Sequence, residues 1–273
     1  MTWKITSDQV NPPGDAAITY DITNAGGVFN LRSTGTVDYE IEWGDGAVEI
    51  STLNTLPHTY AAGDYTLGVY SDGVYRPYFN NVTADATQIT SVTIGPGANL
   101  GTDLGGAWYG ASNMTSFVCP FDVTSGVINL VRAWRNCSSL TSFPLINTSS
   151  CTVFTNAWRD CSSLTGFNLI DTSSGTDFTL AWYACNSLSS FPANMFDTTG
   201  TLVSNAFQGA WTNCALTAQS IENILVSLDT NGATGITLGI NGGTNAAKTT
   251  WSAAAVTAYD NLIVKGWTIS FNA

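Results

Sequence analysis

One phrase recurs along the middle of this chain and limits what it can become. It reads AWYGASNMTSF from Ala107, AWRNCSSLTSF from Ala133, AWRDCSSLTGF from Ala157 and AWYACNSLSSF from Ala181, with a partial copy, AWTNCAL, from Ala210. The starts are 26, 24, 24 and 29 residues apart. A unit this short cannot bury an apolar face alone, so the copies must stack on one another.

A period of this size is that of leucine-rich repeats. Each copy carries a loosened L-x-x-L-x-L: Met114, Phe117 and Cys119; Leu140, Phe143 and Leu145; Leu164, Phe167 and Leu169; Leu188, Phe191 and Ala193. A cryptic earlier copy stands at Ile89, Val92 and Ile94. The expectation for residues 83–216 is an α/β-type solenoid of parallel strands and short helices. Trp108, Trp134, Trp158, Trp182 and Trp211 each follow an Ala, and burying them is how so polar a repeat can cohere. An exposed tryptophan platform for sugars is the other reading.

Cysteine use fits stacking. Cys137, Cys161, Cys185 and Cys214 share one repeat position. Their side chains run parallel, whereas a disulfide needs convergent Cβ vectors, so they are expected buried and reduced. Cys119 falls at a core position, and Cys151, in a turn, is the thiol expected to be exposed. No C-x₂-C spacing suggests zinc, and no cofactor is implied.

Only 10% of residues are charged, and the net charge is −12. Residues 1–82 hold ten acids and three bases; residues 83–273 hold ten acids and five bases. Neither part offers the basic face that nucleic acid requires. No apolar run is long enough for membrane insertion, and the start, MTWKITSDQV, lacks the apolar core of a signal peptide.

Residues 1–82 alternate β-rich runs with turns. The runs are Ala17–Ile22, Val28–Arg32, Val37–Trp43, Val48–Ser51 and Tyr65–Tyr70, and Asn11–Gly14 and Ser71–Gly73 are among the turns. Trp43-Gly44-Asp45-Gly46, then His58-Thr59-Tyr60, then Gly63-Asp64-Tyr65-Thr66 resembles the PKD family of Ig-like sandwiches. That resemblance implies an all-β sandwich in which these residues, His58 included, are mainly structural. Joined to copies of C-S-S-L-T-S-F, the module resembles BspA-like leucine-rich-repeat surface proteins of bacteria and phages. They are associated with adhesion and binding and have no attached chemistry. Trp after Ala, where Phe is more usual, departs from their pattern.

Beyond Leu216 the texture changes. Thr217 caps an expected helix to Leu228, ended by Asp229–Gly232, and Ile236–Ile240 alternates as a strand. Ser252–Val264 is a second expected helix, followed by a strand at Trp267–Phe271. Residues 217–273 are therefore expected to cap the repeats.

Three columns carry the candidate sites. Tyr109, Arg135, Arg159 and Tyr183 directly follow the tryptophans and should point outward. They can meet sugars or acidic groups of a partner, or form a solvated face neutralised by Asp160 or Asp177. Val118, Pro144, Asn168 and Pro192 lie between core positions on the expected strand face, the usual binding surface of stacked repeats. Asp122, Asn147, Asp171 and Asp197 form a column that can bind calcium or cap turns. The inventory for catalysis is four glutamates, one histidine and no nucleophile or phosphate-loop motif.

The sequence thus points to a non-enzymatic recognition or structural protein displayed on a phage virion. A bacterial surface adhesin is the alternative, and a glycan-cleaving enzyme a minor third. Expected partners are other virion proteins or a host surface protein or glycan, and an oligomer is compatible with this.

Overall fold

The computed structural model describes residues 18–34, 38–71, 73–80 and 83–273. The expected turn at Asn11–Gly14, the residues Ala17 and Val37 that open two of the β-rich runs, and Asp72 lie outside the described residues.

Six strands form one sheet: β1 (Ile18–Arg32), β2 (Tyr39–Glu42), β3 (Val48–Ser51), β4 (Thr55–Ser71), β5 (Ile89–Ile94) and β6 (Ser116–Val118). Their order is β3-β2-β4-β1-β5-β6, and only the β5–β6 pair is parallel. A short helix, α1 (Thr83–Ala86), precedes β5. In β2 the alternation decides the faces: Tyr39 and Ile41 are buried, Glu40 and Glu42 look outward. The turn after it needs Gly44, whose φ is 80° and whose missing Cβ would lie 2.3 Å from the Thr66 carbonyl oxygen. Asp45 closes that turn by accepting the Ala47 amide at 3.0 Å.

The expected runs Ala17–Ile22 and Val28–Arg32 are parts of a single strand, β1, paired with β4 from Ile18↔Val69 to Arg32↔Thr55. The buried parity changes along it, from Ile18, Tyr20 and Ile22 to Phe29 and Leu31. The change falls at Gly26 and Gly27, with φ of 93° and 144°. The expected Ig- or PKD-like sandwich is therefore corrected: these strands make one sheet, not two packed ones. The cause is that β1 is paired on both sides, with β4 and with β5, and β5 passes the sheet on to β6. Backbone pairing thus runs through the expected boundary between residues 82 and 83.

The leucine-rich-repeat expectation is corrected as well. Between β6 and residue 218 the described residues hold no strand and no α-helix, only a short 3-10 turn at Phe121–Thr124, further turns and isolated bridges. An α/β solenoid of parallel strands is absent, and with it goes the resemblance to BspA-like proteins with a PKD domain. Two features of the copies explain this. Pro144 and Pro192 occupy the position of Val118 in β6, and proline has no N–H to give a ladder. The other feature is that helix formation is pre-empted, because the amides are spent on the next copy. Trp108, Trp134, Trp158 and Trp182 donate to the carbonyls of Ala133, Ala157, Ala181 and Ala210 at 2.8–2.9 Å. Left-handed residues at Arg132, Asn136, Asn156, Asp160, Leu180 and Ala184, with φ of 56–65°, keep each segment a turn.

The copies nevertheless stack, turn on turn. The five tryptophans are fully buried, with neighbouring indoles 5.1–5.8 Å apart and near parallel. Phe117, Phe143, Phe167 and Phe191 form a second stack at 5.8–5.9 Å, meeting the indoles almost at right angles. Trp134, Trp158, Trp182 and Trp211 have no hydrogen-bond acceptor for their ring N–H among the described residues. The third apolar position behaves differently from expectation: Leu145 and Leu169 are about half exposed, and Ile146 and Ile170 fill the core instead.

All six cysteines are free and buried. Cys137, Cys161, Cys185 and Cys214 each donate to the carbonyl of the tryptophan one copy earlier, at 3.1–3.3 Å. Burial pushes the Cys161 and Cys214 thiols up to about 12. Cys151 is not the exposed thiol expected: its turn folds inward, the residue is fully buried, and burial pushes its thiol up to about 12 too.

The chain ends in α2 (Ala218–Asn231), β7 (Thr237–Ile240), α3 (Ala253–Val264) and β8 (Thr268–Phe271), with β7 and β8 parallel. Thr217 and Ser252 cap the two helices, accepting the amides of Ser220 and Ala255. Gly232, at φ 80°, ends α2. Ser220 and Asn223 of α2 bond to Ser189 and Phe191, so the helix lies where a further copy would.

Candidate functional site

The residue after each buried tryptophan emerges from its turn toward solvent. The stacking then sets Tyr109, Arg135, Arg159 and Tyr183 in one outward column. The Arg135 guanidinium carbon lies 5.5 Å from the Tyr109 ring centre, and that of Arg159 lies 4.7 Å from the Tyr183 ring centre. Asp160 stands beside both arginines. Its Oδ2 is 3.2 Å from Arg159 Nε and 3.8 Å from Arg135 Nε. Arg159 also donates to Asn156 Oδ1 at 3.3 Å. Arg135 Nε is enclosed and finds no hydrogen-bond acceptor among the described residues. Side-chain exposures of 23%, 26% and 34% for Arg135, Arg159 and Asp160 make this a half-buried cluster open on one side. Two cations share one anion, so the ladder is positive in a chain of net charge −12.

Asp160 occupies its place because its backbone is left-handed, at φ 64°, a conformation that Asp and Asn tolerate better than most residues. The sequence suggested Asp160 or Asp177 as neutralising acids. Asp160 takes that part, whereas Asp177 accepts from Thr155 at 2.9 Å. Arg132, the third base of this zone, is exposed. Beyond Tyr183 the column continues in Thr212, which donates to Asn241 Oδ1 at 3.0 Å.

The second candidate face is less chemical. Val118 and Asn168 are exposed, Pro144 and Pro192 half-buried, and Asn168 donates to the Phe143 carbonyl at 2.7 Å. Leu145 and Leu169, exposed beside them, were placed in the core by the repeat pattern. Only the neighbouring isoleucines could have shown that the register shifts by one.

Two members of the third column cap turns. Asn147 accepts the Ser149 amide at 3.1 Å, and Asp171 the Ser173 amide at 2.8 Å. Asp197 accepts from Ser227 of α2 at 2.5 Å. Asp122 lies in the 3-10 turn Phe121–Thr124. Among the described residues no group of three or more His, Cys, Asp or Glu is placed to hold a metal ion. His58 stacks on Trp43 at 4.4 Å, and its Nε2 is 2.8 Å from Asp45 Oδ2, a bond that lowers the Asp45 carboxyl below its usual range.

No protein-family model, curated protein or solved structure matches this chain.

Proposed function

We propose that the protein is a non-enzymatic recognition or structural component displayed on a virion, and that it meets its partner through the Tyr109–Arg135–Arg159–Tyr183 ladder. The observation that carries this is the pairing of two guanidiniums with a single carboxylate in an otherwise acidic chain. Cations gathered against the field of the whole molecule favour an acidic partner and steer its approach. Two kinds of group that a catalyst could use are engaged elsewhere. His58 is stacked and paired with Asp45, and the cysteines are buried and held as thiols. Six free cysteines suit assembly in a reducing cytoplasm better than secretion, which favours the virion over a secreted adhesin.

The test is the double change Arg135→Ala, Arg159→Ala, read by attachment to intact particles or host cells. Folding should be largely kept, because the pairs of Arg135 and Arg159 with Asp160 are partly solvated and worth on the order of 1 kcal/mol. Attachment should weaken by about tenfold or more. Unchanged attachment overturns the ladder as the docking site and moves attention to Val118, Pro144, Asn168 and Pro192. Localising the protein on cells but not on particles would favour the adhesin.

A further inference from the structure

We propose that the C-terminal end of the stack pairs with a second copy of this chain, β8 against β8, about a two-fold axis. The inference does not rest on the ladder. A stack of repeats stays soluble when its last member turns a polar face to water. This last member does not. Strand β8 carries no charge, proline or bulge, the devices that blunt an exposed edge. Within its sheet it pairs with β7 alone. Thr268 donates to Ile236 on that side, so alternation turns the Ile269 and Phe271 amides to the open side. Helix α3 agrees. Asn261 and Lys265 hold it to Asp229 of α2, and helical periodicity sets Val256, Tyr259 and Ile263 on the side away from α2. Ile263 is 43% exposed, and Val256, Tyr259, Ile269 and Phe271 are only partly covered.

Two observations select a second copy as the occupant. The first is continuity. Inside the chain, each member meets its successor through backbone bonds along one edge, with apolar side chains beneath. Strand β8 offers the next such edge over the next such floor. Antiparallel pairing about a two-fold axis uses it in both copies at once. Ser270 then lies on the axis, and Ile269 of each copy faces Phe271 of the other. The second observation is charge. Lys248 Nζ lies 3.6 Å from the Tyr259 ring centre and 5.3 Å from that of Phe271. It meets no carboxylate in an ion pair among the described residues. Asp260, next to Tyr259, is exposed and likewise meets no cation there. One copy thus carries an unmatched cation and an unmatched anion near the same end. Two copies related by the axis match them crosswise.

Sedimentation equilibrium of the whole chain reads the pairing. The wild type should form dimers, and Ile263→Lys, a change at an exposed position, should weaken them by about tenfold or more. Circular dichroism checks that the variant stays folded. Lys248→Glu and Asp260→Lys should each dimerise about tenfold more weakly, because each sets like charges across the axis. Mixed together, the two should form a heterodimer about as strong as the wild-type dimer. Hydrogen exchange of the Ile269 and Phe271 amides should slow by about tenfold or more on going from dilute protein to dimer. A wild type that is monomeric throughout, or that forms a trimer, overturns the proposal. Monomers that lose attachment to particles on Ile263→Lys overturn it in favour of a virion protein at this end. A dimer indifferent to Ile263→Lys, or one in which both amides exchange as in the monomer, overturns it by placing the contact elsewhere. No gain on mixing overturns the crosswise charge pairing.

Discussion

The strands β1 to β5 and the copies after them solve one problem in opposite ways. In the sheet, each strand donates sideways to a strand of different sequence, and the register decides which side chains meet: Tyr20 faces Leu67 on one side and Val92 on the other. In the copies, each turn donates to a turn of the same sequence. Like therefore falls on like: Trp on Trp, Phe on Phe, and each cysteine of the column beneath a tryptophan carbonyl. The sheet tolerates Asp, Glu and Arg on its outer face, since neighbours differ. A stack of identical turns would set any charge against its own kind, at a cost. This is a physical reason for charges to be scarce in the copies. It also explains why Arg135 beside Arg159 comes with Asp160 between them.

The contrast is open to attack, most strongly through the tryptophans. Trp158→Ala removes a ring stacked on two others and should cost about 3–5 kcal/mol. A denaturant midpoint left where it was would mean that the stack contributes nothing. The counterpart on the sheet side is Asp85, a buried acid that accepts from Asn30 and from Arg32 Nε at 2.8 Å. Asp85→Ala should cost about 2–3 kcal/mol, reduced because Arg32 is partly solvated. Since β5 and β6 belong to the same sheet, both changes should lower one shared transition. Two separate transitions in calorimetry would show that the regions fold independently. The smallest expected effect concerns pH and starts from a contact on the sheet side. The His58 bond, then the Ala47 amide, hold the Asp45 carboxyl below its ordinary 3.8. A carboxylate with a lowered folded value stabilises the fold above its unfolded value and loses that as pH falls through the folded one. Asp45→Asn should flatten this acid limb by less than about 1 kcal/mol, as for a surface pair. An unaltered acid limb would show that the pair carries no stability.

Much of the fold was legible where local chemistry decides it. The alternation of Tyr39 to Glu42 fixed which side of β2 is buried, and Thr217, Gly232 and Ser252 marked helix ends. The tryptophan and cysteine columns were legible because a shared repeat position implies a shared environment. What was misread depended on where backbone amides go. A loosened leucine pattern suits strands, but Pro144 and Pro192 withhold the N–H a ladder needs, and the Trp amides prefer the next copy to a helix. The one-sheet arrangement was hidden for a related reason. The pairing of β1 with β5 joins residues about seventy apart, with no local signal between them. At the ladder, sequence placed both arginines and named Asp160. The enclosed Arg135 Nε depends on distances that only the fold sets.

The copy-to-copy hydrogen bonds carry a consequence for the gene. Each turn offers its neighbour the same socket it receives, so the height of the column is set by counting and not by fitting. Residues 157–180 span one whole period between Ala157 and Ala181. Excising them would join Asn156 to Ala181 and bring Trp182 under the carbonyl-and-indole socket that Trp158 now fills. Recombination between such near-identical stretches can lengthen or shorten the protein one rung at a time without redesigning either end. Reach then becomes a quantity that selection can adjust in whole steps. Loss of that particular rung would take Arg159 and Asp160 with it and leave Arg135 facing Tyr183, so length and recognition are written in the same residues.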